Sequence, residues 1–110
     1  MRGSPQTIYI SGPITGVVEA RHRFKETEMW LSYQGHTPLN PMEIEDPVET
    51  LENEELWAYY MKEALTLLFT ADGIYMLEGW EDSRGAKLEF LVATELNIPV
   101  HFAHEDHKYV

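Results

Sequence analysis

The chain has 110 residues, 44% of them hydrophobic and 12% aromatic, no cysteine, and a formal net charge of −11 from 19 acidic against 8 basic side chains. That length and composition suit one globular domain over residues 1–110 and exclude a disordered chain, a disulfide scaffold, thiol catalysis and cysteine zinc sites. The acidic excess argues against polymeric nucleic acid and anionic lipid as partners, and no window approaches the ~18–20 apolar residues that span a bilayer, so the expectation is a cytoplasmic protein.

Residues 1–5 (MRGSP) carry no apolar signal region and read as a tag remnant or disordered start. Thr7–Ser11 (TIYIS) is an apolar, β-branched and aromatic run that stops at Gly12-Pro13, the pattern of a buried strand before a tight turn. A helix is predicted from about Val17 to Tyr33, with Phe24, Trp30, Leu31 and Val17 near its apolar stripe, and Gly35 stops it. His36–Leu39 is a short second strand closed by Asn40-Pro41. Met42–Asn53 is an acidic connector, irregular or one helical turn. Its carboxylates show no tight ligand spacing and read as solvated, so no metal is expected.

Glu54–Phe69 repeats Leu56, Tyr60, Ala64, Leu67 and Leu68 at helical spacing. Asp72 precedes a third buried strand, Gly73–Leu77, and a polar loop follows over Glu78–Arg84 around Trp80. Gly85–Leu96 is a third helix with Leu88, Leu91, Val92 and Leu96 on one side; Ile98–Phe102 is a fourth strand and His104–Val110 a loose tail. Strands alternating with helices predict an α/β fold: three layers, doubly wound around a mainly parallel sheet of about four or five strands, flavodoxin- or Rossmann-like.

In such a sheet, ligands bind at the carboxyl ends of the strands. Gly12–Gly16, Asn40-Pro41 and Glu78–Arg84 leave those ends and are gathered around one crevice. Neither GxGxxG nor a P-loop is present, so dinucleotide and nucleoside-triphosphate fingerprints are absent. Gly12–Gly16 is either an ordinary strand-to-helix turn or a backbone approach to an anion. Ser83 is either a helix cap or a donor to a hydroxyl or phosphate. Glu89 lies in the first turns of the third helix, where the helix dipole favours an anion, among Leu88, Phe90, Leu91 and Val92. It either faces solvent or is a buried carboxylate with a purpose.

TIYISGPITG at 7–16, HTPLNP at 36–41, ADGIYMLEGWEDSRGAKLE at 71–89 and VATELNIPV at 92–100 together resemble the nucleoside 2-deoxyribosyltransferase-like superfamily, in particular its small phage and bacterial members. The third segment is the specific one, combining an aspartate-led strand with Ser-x-Gly-x-x-x-Glu on a helix. The resemblance implies cleavage or exchange of the N-glycosidic bond of a nucleoside or nucleoside 5′-monophosphate, with no cofactor and no metal. It implies that Glu89 is the nucleophile, that Tyr9 orients it, and that Asp72 helps protonate the leaving base. Ser83 then faces the sugar or phosphate end; a serine there, where the transferases tend to have aspartate, leans toward 5′-monophosphates and hydrolysis.

Gly12, Pro13, Gly16 and Gly85 complete the expected substrate-binding set, with Trp80 either stacking on a base or packing its own loop. Arg84 and Arg21 are candidate phosphate partners against the ordinary expectation of exposed arginine, and His36 reads as structural. Trp30 and Trp57 read as core or interface. The resemblance implies a homodimer or higher homo-oligomer; some members complete the pocket from a neighbouring subunit, and no residue of this sequence maps to that role. The alternatives are a nucleotide-binding protein without turnover and a purely structural protein.

Overall fold

The structure, a computed structural model, describes residues 4–103; the predicted tail at 104–110 and the first three residues lie outside the described residues. The elements run in chain order β1 (Thr7–Ser11), α1 (Ala20–Tyr33), β2 (Thr37–Leu39), α2 (Asn53–Phe69), β3 (Gly73–Met76), α3 (Arg84–Glu95) and β4 (Val100–Phe102), with single 3-10 turns at Pro41–Glu43 and Trp80–Asp82. All pairings are parallel and the strand order is β2-β1-β3-β4. Thr7 pairs with Thr37, and Ile8 through Ser11 pair with Gly73 through Met76.

The predicted three-layer α/β fold is present. Alternation along the central strands divides the core into two halves. Ile8, Ile10, Tyr75 and Leu77 face α1, where Phe24 and Leu31 meet them. Tyr9, Ile74 and Met76 face the other side, against Ala64 and Leu68 of α2 and Ala86 and Ala93 of α3. Strands buried on both faces need continuous apolar runs, and TIYI and GIYM supply them. Each fully buried large side chain stabilises the fold by ~1.5–3 kcal/mol.

Element boundaries differ from expectation for local reasons. α1 starts at Ala20, not Val17, because Gly16 has φ +77° and residues 14–20 form turns in which Val17 donates to the Ile14 carbonyl. β4 starts at Val100, because Ile98 donates its N–H to Ala93 at the end of α3 and Pro99 has none to give. The apolar side assigned to α3 is also corrected. Leu91 and Leu96 are about half exposed, and the buried face is Ala86, Glu89 and Ala93.

The chain leaves β1 toward β2 on one side and returns past it to β3 on the other. The carboxyl ends of β1 and β3 therefore flank the point where the winding reverses, the usual ligand position in this architecture. No helix among the described residues is long and apolar enough to cross a membrane.

Candidate active site

Tyr9 and Ser11 are two residues apart on β1 and point to the face covered by α3. α3 lays a narrow stripe on that face, Ala86-Glu89-Ala93, spaced by three and four residues as one helical side requires. The two alanines bracket Glu89, whose carboxylate meets β1. The Tyr9 hydroxyl donates to Glu89 Oε2 at 2.5 Å and the Ser11 hydroxyl donates to Oε1 at 2.6 Å. Tyr9 and Ser11 are fully buried and Glu89 is 6% exposed.

The electrostatics follow from this enclosure. Burial raises the Glu89 pKa to about 7, and the two hydroxyl bonds only partly offset it. Burial also pushes the Tyr9 hydroxyl well above its usual range, and the adjacent carboxylate reinforces the shift, so Tyr9 stays a donor. Glu89 is therefore a carboxylate balanced between charge states near neutrality, held by hydroxyl donors and not, as expected, by the amides of the α3 amino terminus. Such a perturbed, buried acid marks a candidate functional site.

Ser11 is the residue that sequence reasoning missed. A serine before Gly-Pro reads as turn chemistry, but its two-residue spacing from Tyr9 on a buried strand was the available signal.

The structure does not bring Asp72 to this centre. Its carboxylate accepts the Thr7 N–H at 2.9 Å and its own amide donates to the Thr7 carbonyl at 2.7 Å. Thr7 opens β1 at the amino edge of the sheet, four residues and thus roughly 13 Å along the strand from Ser11. Asp72 clamps the start of two strands, and protonation of a base beside Glu89 is out of its reach.

The loop residues divide between crevice and packing. A Cβ on Gly12 would lie 2.8 Å from Leu77 Cβ, so the turn after β1 presses on the chain leaving β3. Pro13 lies against Gly79, whose φ of +88° turns the β3 loop. Gly16 sits in open space. Gly85 is explained by helix packing, since a Cβ there would lie 3.1 Å from Met61 Sδ of α2. Ser83 is the α3 cap, accepting the Ala86 N–H at 3.2 Å.

Trp80 takes the packing alternative, stacked on Phe90 at 4.6 Å and near Phe102 at 6.1 Å. Arg84 is bidentate to Glu54 at 2.8 and 3.0 Å, with its guanidinium 3.6 Å over the Trp57 ring. Arg21 is exposed, and Trp30 packs near Tyr75 at 5.7 Å. His36 is structural: it is buried and its Nδ1 accepts the Gln6 N–H at 3.0 Å.

Two cavities open elsewhere. One, about 530 Å³, lies between Asn40, Glu43, Ile44, Tyr59 and Glu63. The other, about 460 Å³, lies between Arg23, Trp30, Tyr75 and Glu78. Neither is lined by Tyr9, Ser11 or Glu89. Among the described residues no group of three or more His, Asp or Glu is placed to hold a metal ion.

Residues 6–102 match the family DUF4406, a domain of unknown function. Among solved structures, the chain is similar to a 2-deoxyribosyltransferase from the psychrotolerant bacterium Bacillus psychrosaccharolyticus, at 23% identity and a TM-score of 0.70 over 87% of this chain and 70% of that one. It is also similar to a conserved protein from Enterococcus faecalis V583, at 19% identity and a TM-score of 0.60 over 90% of this chain and 63% of that one, less than two thirds of its length. No curated protein matches by sequence. These likenesses show that the chain shares its α/β fold with that 2-deoxyribosyltransferase.

Proposed function

The chain belongs to the DUF4406 family, and we propose that it cleaves or exchanges the N-glycosidic bond of a nucleoside or nucleoside 5′-monophosphate, with Glu89 as nucleophile. The observation that carries this reading is the buried Glu89 carboxylate gripped by Tyr9 and Ser11 on the β1/β3 side of the sheet. The similarity in fold to a 2-deoxyribosyltransferase supports it. A buried carboxylate held by two donors is costly to maintain for stability alone.

The chemistry follows from the group. Ionised Glu89 attacks the anomeric carbon as the bond to the base breaks; the bonding pair leaves with the base, which takes up a proton from solvent. A glycosyl ester results, with Tyr9 steadying the carboxyl group. Water then attacks the same carbon to give the free sugar, or a second base attacks it to give a new nucleoside; either step returns the carboxylate. Ser83 accepts with its oxygen and keeps its proton for the sugar or phosphate side, and the Gly12-Pro13 turn forms the floor. On this reading the substrate is a small molecule, and the protein works in the cytoplasm as a homodimer or larger homo-oligomer.

A second reading is a nucleotide-binding protein without turnover, which would use a cavity lined by residues other than Glu89. Mass spectrometry on common nucleosides and their 5′-monophosphates, with and without an acceptor base, separates the two. Free or exchanged base is expected with the unsubstituted protein, and Glu89→Gln lowers the rate at least ~10³-fold. Release unchanged in Glu89→Gln removes the nucleophile assignment. Calorimetric binding with no product over hours supports the silent binder.

A further inference from the structure

Ser11 has no role in the reading above beyond touching Glu89, yet its position is as constrained as that of Tyr9. It ends β1, is fully buried, and its hydroxyl is 2.6 Å from Glu89 Oε1, while Tyr9 occupies Oε2. We infer that Ser11 is a second positioning residue for the Glu89 carboxylate, pinning one oxygen while Tyr9 pins the other, so that two donors from one strand face fix the plane of the group. The catalytic consequence of this inference rests on the glycosidic reading; its structural content does not.

A carboxylate held at one oxygen turns about its last torsion, a broad and weakly restrained one. Held at both, it keeps a single plane, and nucleophilic attack depends on such orientation. A small side chain suits the position because Ser11 is fully buried and meets Glu89 of α3, and a close-packed interior leaves little room for a larger one. The neighbours sharpen the effect. β3 and α2 present Ile74, Met76, Ala64 and Leu68 on this side, none of them charged, and α3 adds two alanines. Tyr9 is the titratable group that faces the carboxylate. The charged form of Glu89 thus depends on two hydroxyl donors and on no cation among the described residues. Removing the Ser11 donor disfavours the ionised form as well as freeing its plane.

The test pairs a substrate-free readout with a kinetic one. In protein carrying ¹³C at the glutamate δ-carbons, the Glu89 signal is assigned by its loss in Glu89→Gln and followed from pH 5 to 9. Ser11→Ala is expected to move the titration midpoint upward by about one pH unit, the scale of one hydrogen bond to a charged group. Ser11→Cys, a weak donor of similar volume, is expected between the two and guards against a folding defect in the alanine variant. With whichever nucleoside or 5′-monophosphate releases base, Ser11→Ala is expected to lower kcat about 10- to 100-fold with KM within twofold, and to shift the acid limb of the rate profile by the same amount as the titration. A midpoint unmoved in both variants overturns the inference. Absence of base release by the unsubstituted protein overturns the glycosidic reading instead, and the titration still decides whether Ser11 holds Glu89.

Discussion

Enclosing a carboxylate without a cation costs free energy, and Glu89 shows where that cost falls. Its pKa is raised from 4.5 to about 7, so between those values the folded protein holds a proton that the unfolded chain has released. Stability therefore falls as pH rises through that window and levels off above it. Gln at 89 has no such titration, and the Tyr9 and Ser11 hydroxyls can turn to satisfy an amide. Urea denaturation is expected to show Glu89→Gln gaining on the unsubstituted protein by about 3 kcal/mol between pH 4.5 and pH 8. A constant difference would mean that Glu89 is not buried as described. Of the individual residues, Glu89 and Tyr9 were legible because a motif marked them. Ser11 and Asp72 were not: the first needed its face of the strand, the second needed its end. Asp72 directly precedes a parallel strand, and that places it at the amino edge, away from the crevice.

Among the elements, the two turns that leave β1 and β3 act as one unit. A Cβ on Gly12 would meet Leu77 and one on Gly79 would meet Pro13, so the two turns are closely packed on each other. Gly12→Ala places a methyl group 2.8 Å from Leu77 Cβ, backbone-near and unable to swing aside. The expected result is a loss of about 1–3 kcal/mol, read as a lower urea midpoint with unchanged slope. An unchanged midpoint would show that the turns move apart freely. The alternation of strands and helices was readable because their apolar runs have the right period and length. The buried face of α3 was not, because it is built from small residues, Ala86 and Ala93, while Leu91 and Leu96 face outward. Large apolar residues dominate any periodicity, and close helix-to-sheet approach selects small ones. Trp80 was ambiguous for a similar reason: its partners Phe90 and Phe102 come from α3 and β4.

At the scale of the molecule, a net charge of −11 is spread over a surface whose ion pairs are mostly exposed. Such exposed pairs contribute little, whereas general self-repulsion opposes the compact state. The melting temperature is accordingly expected to rise by a few degrees between ~10 mM and ~200 mM NaCl at constant pH. A fall would show that attractive pairs dominate. The central position of β1 has a further consequence, in the order of assembly. This strand is the first element among the described residues, yet it pairs with both β2 and β3, and Tyr9 meets Glu89 across 80 residues. Helices can form locally, but these contacts wait on the closure of long loops, whose entropic cost slows folding. Until residues 73–76 arrive, TIYI keeps one edge unpaired even when β2 is in place, and an open β-rich edge of that kind drives association between chains. The hydroxyls that hold Glu89 thus come into place only when the outermost loops of the topology have closed, which makes the grip on that carboxylate a late event in folding.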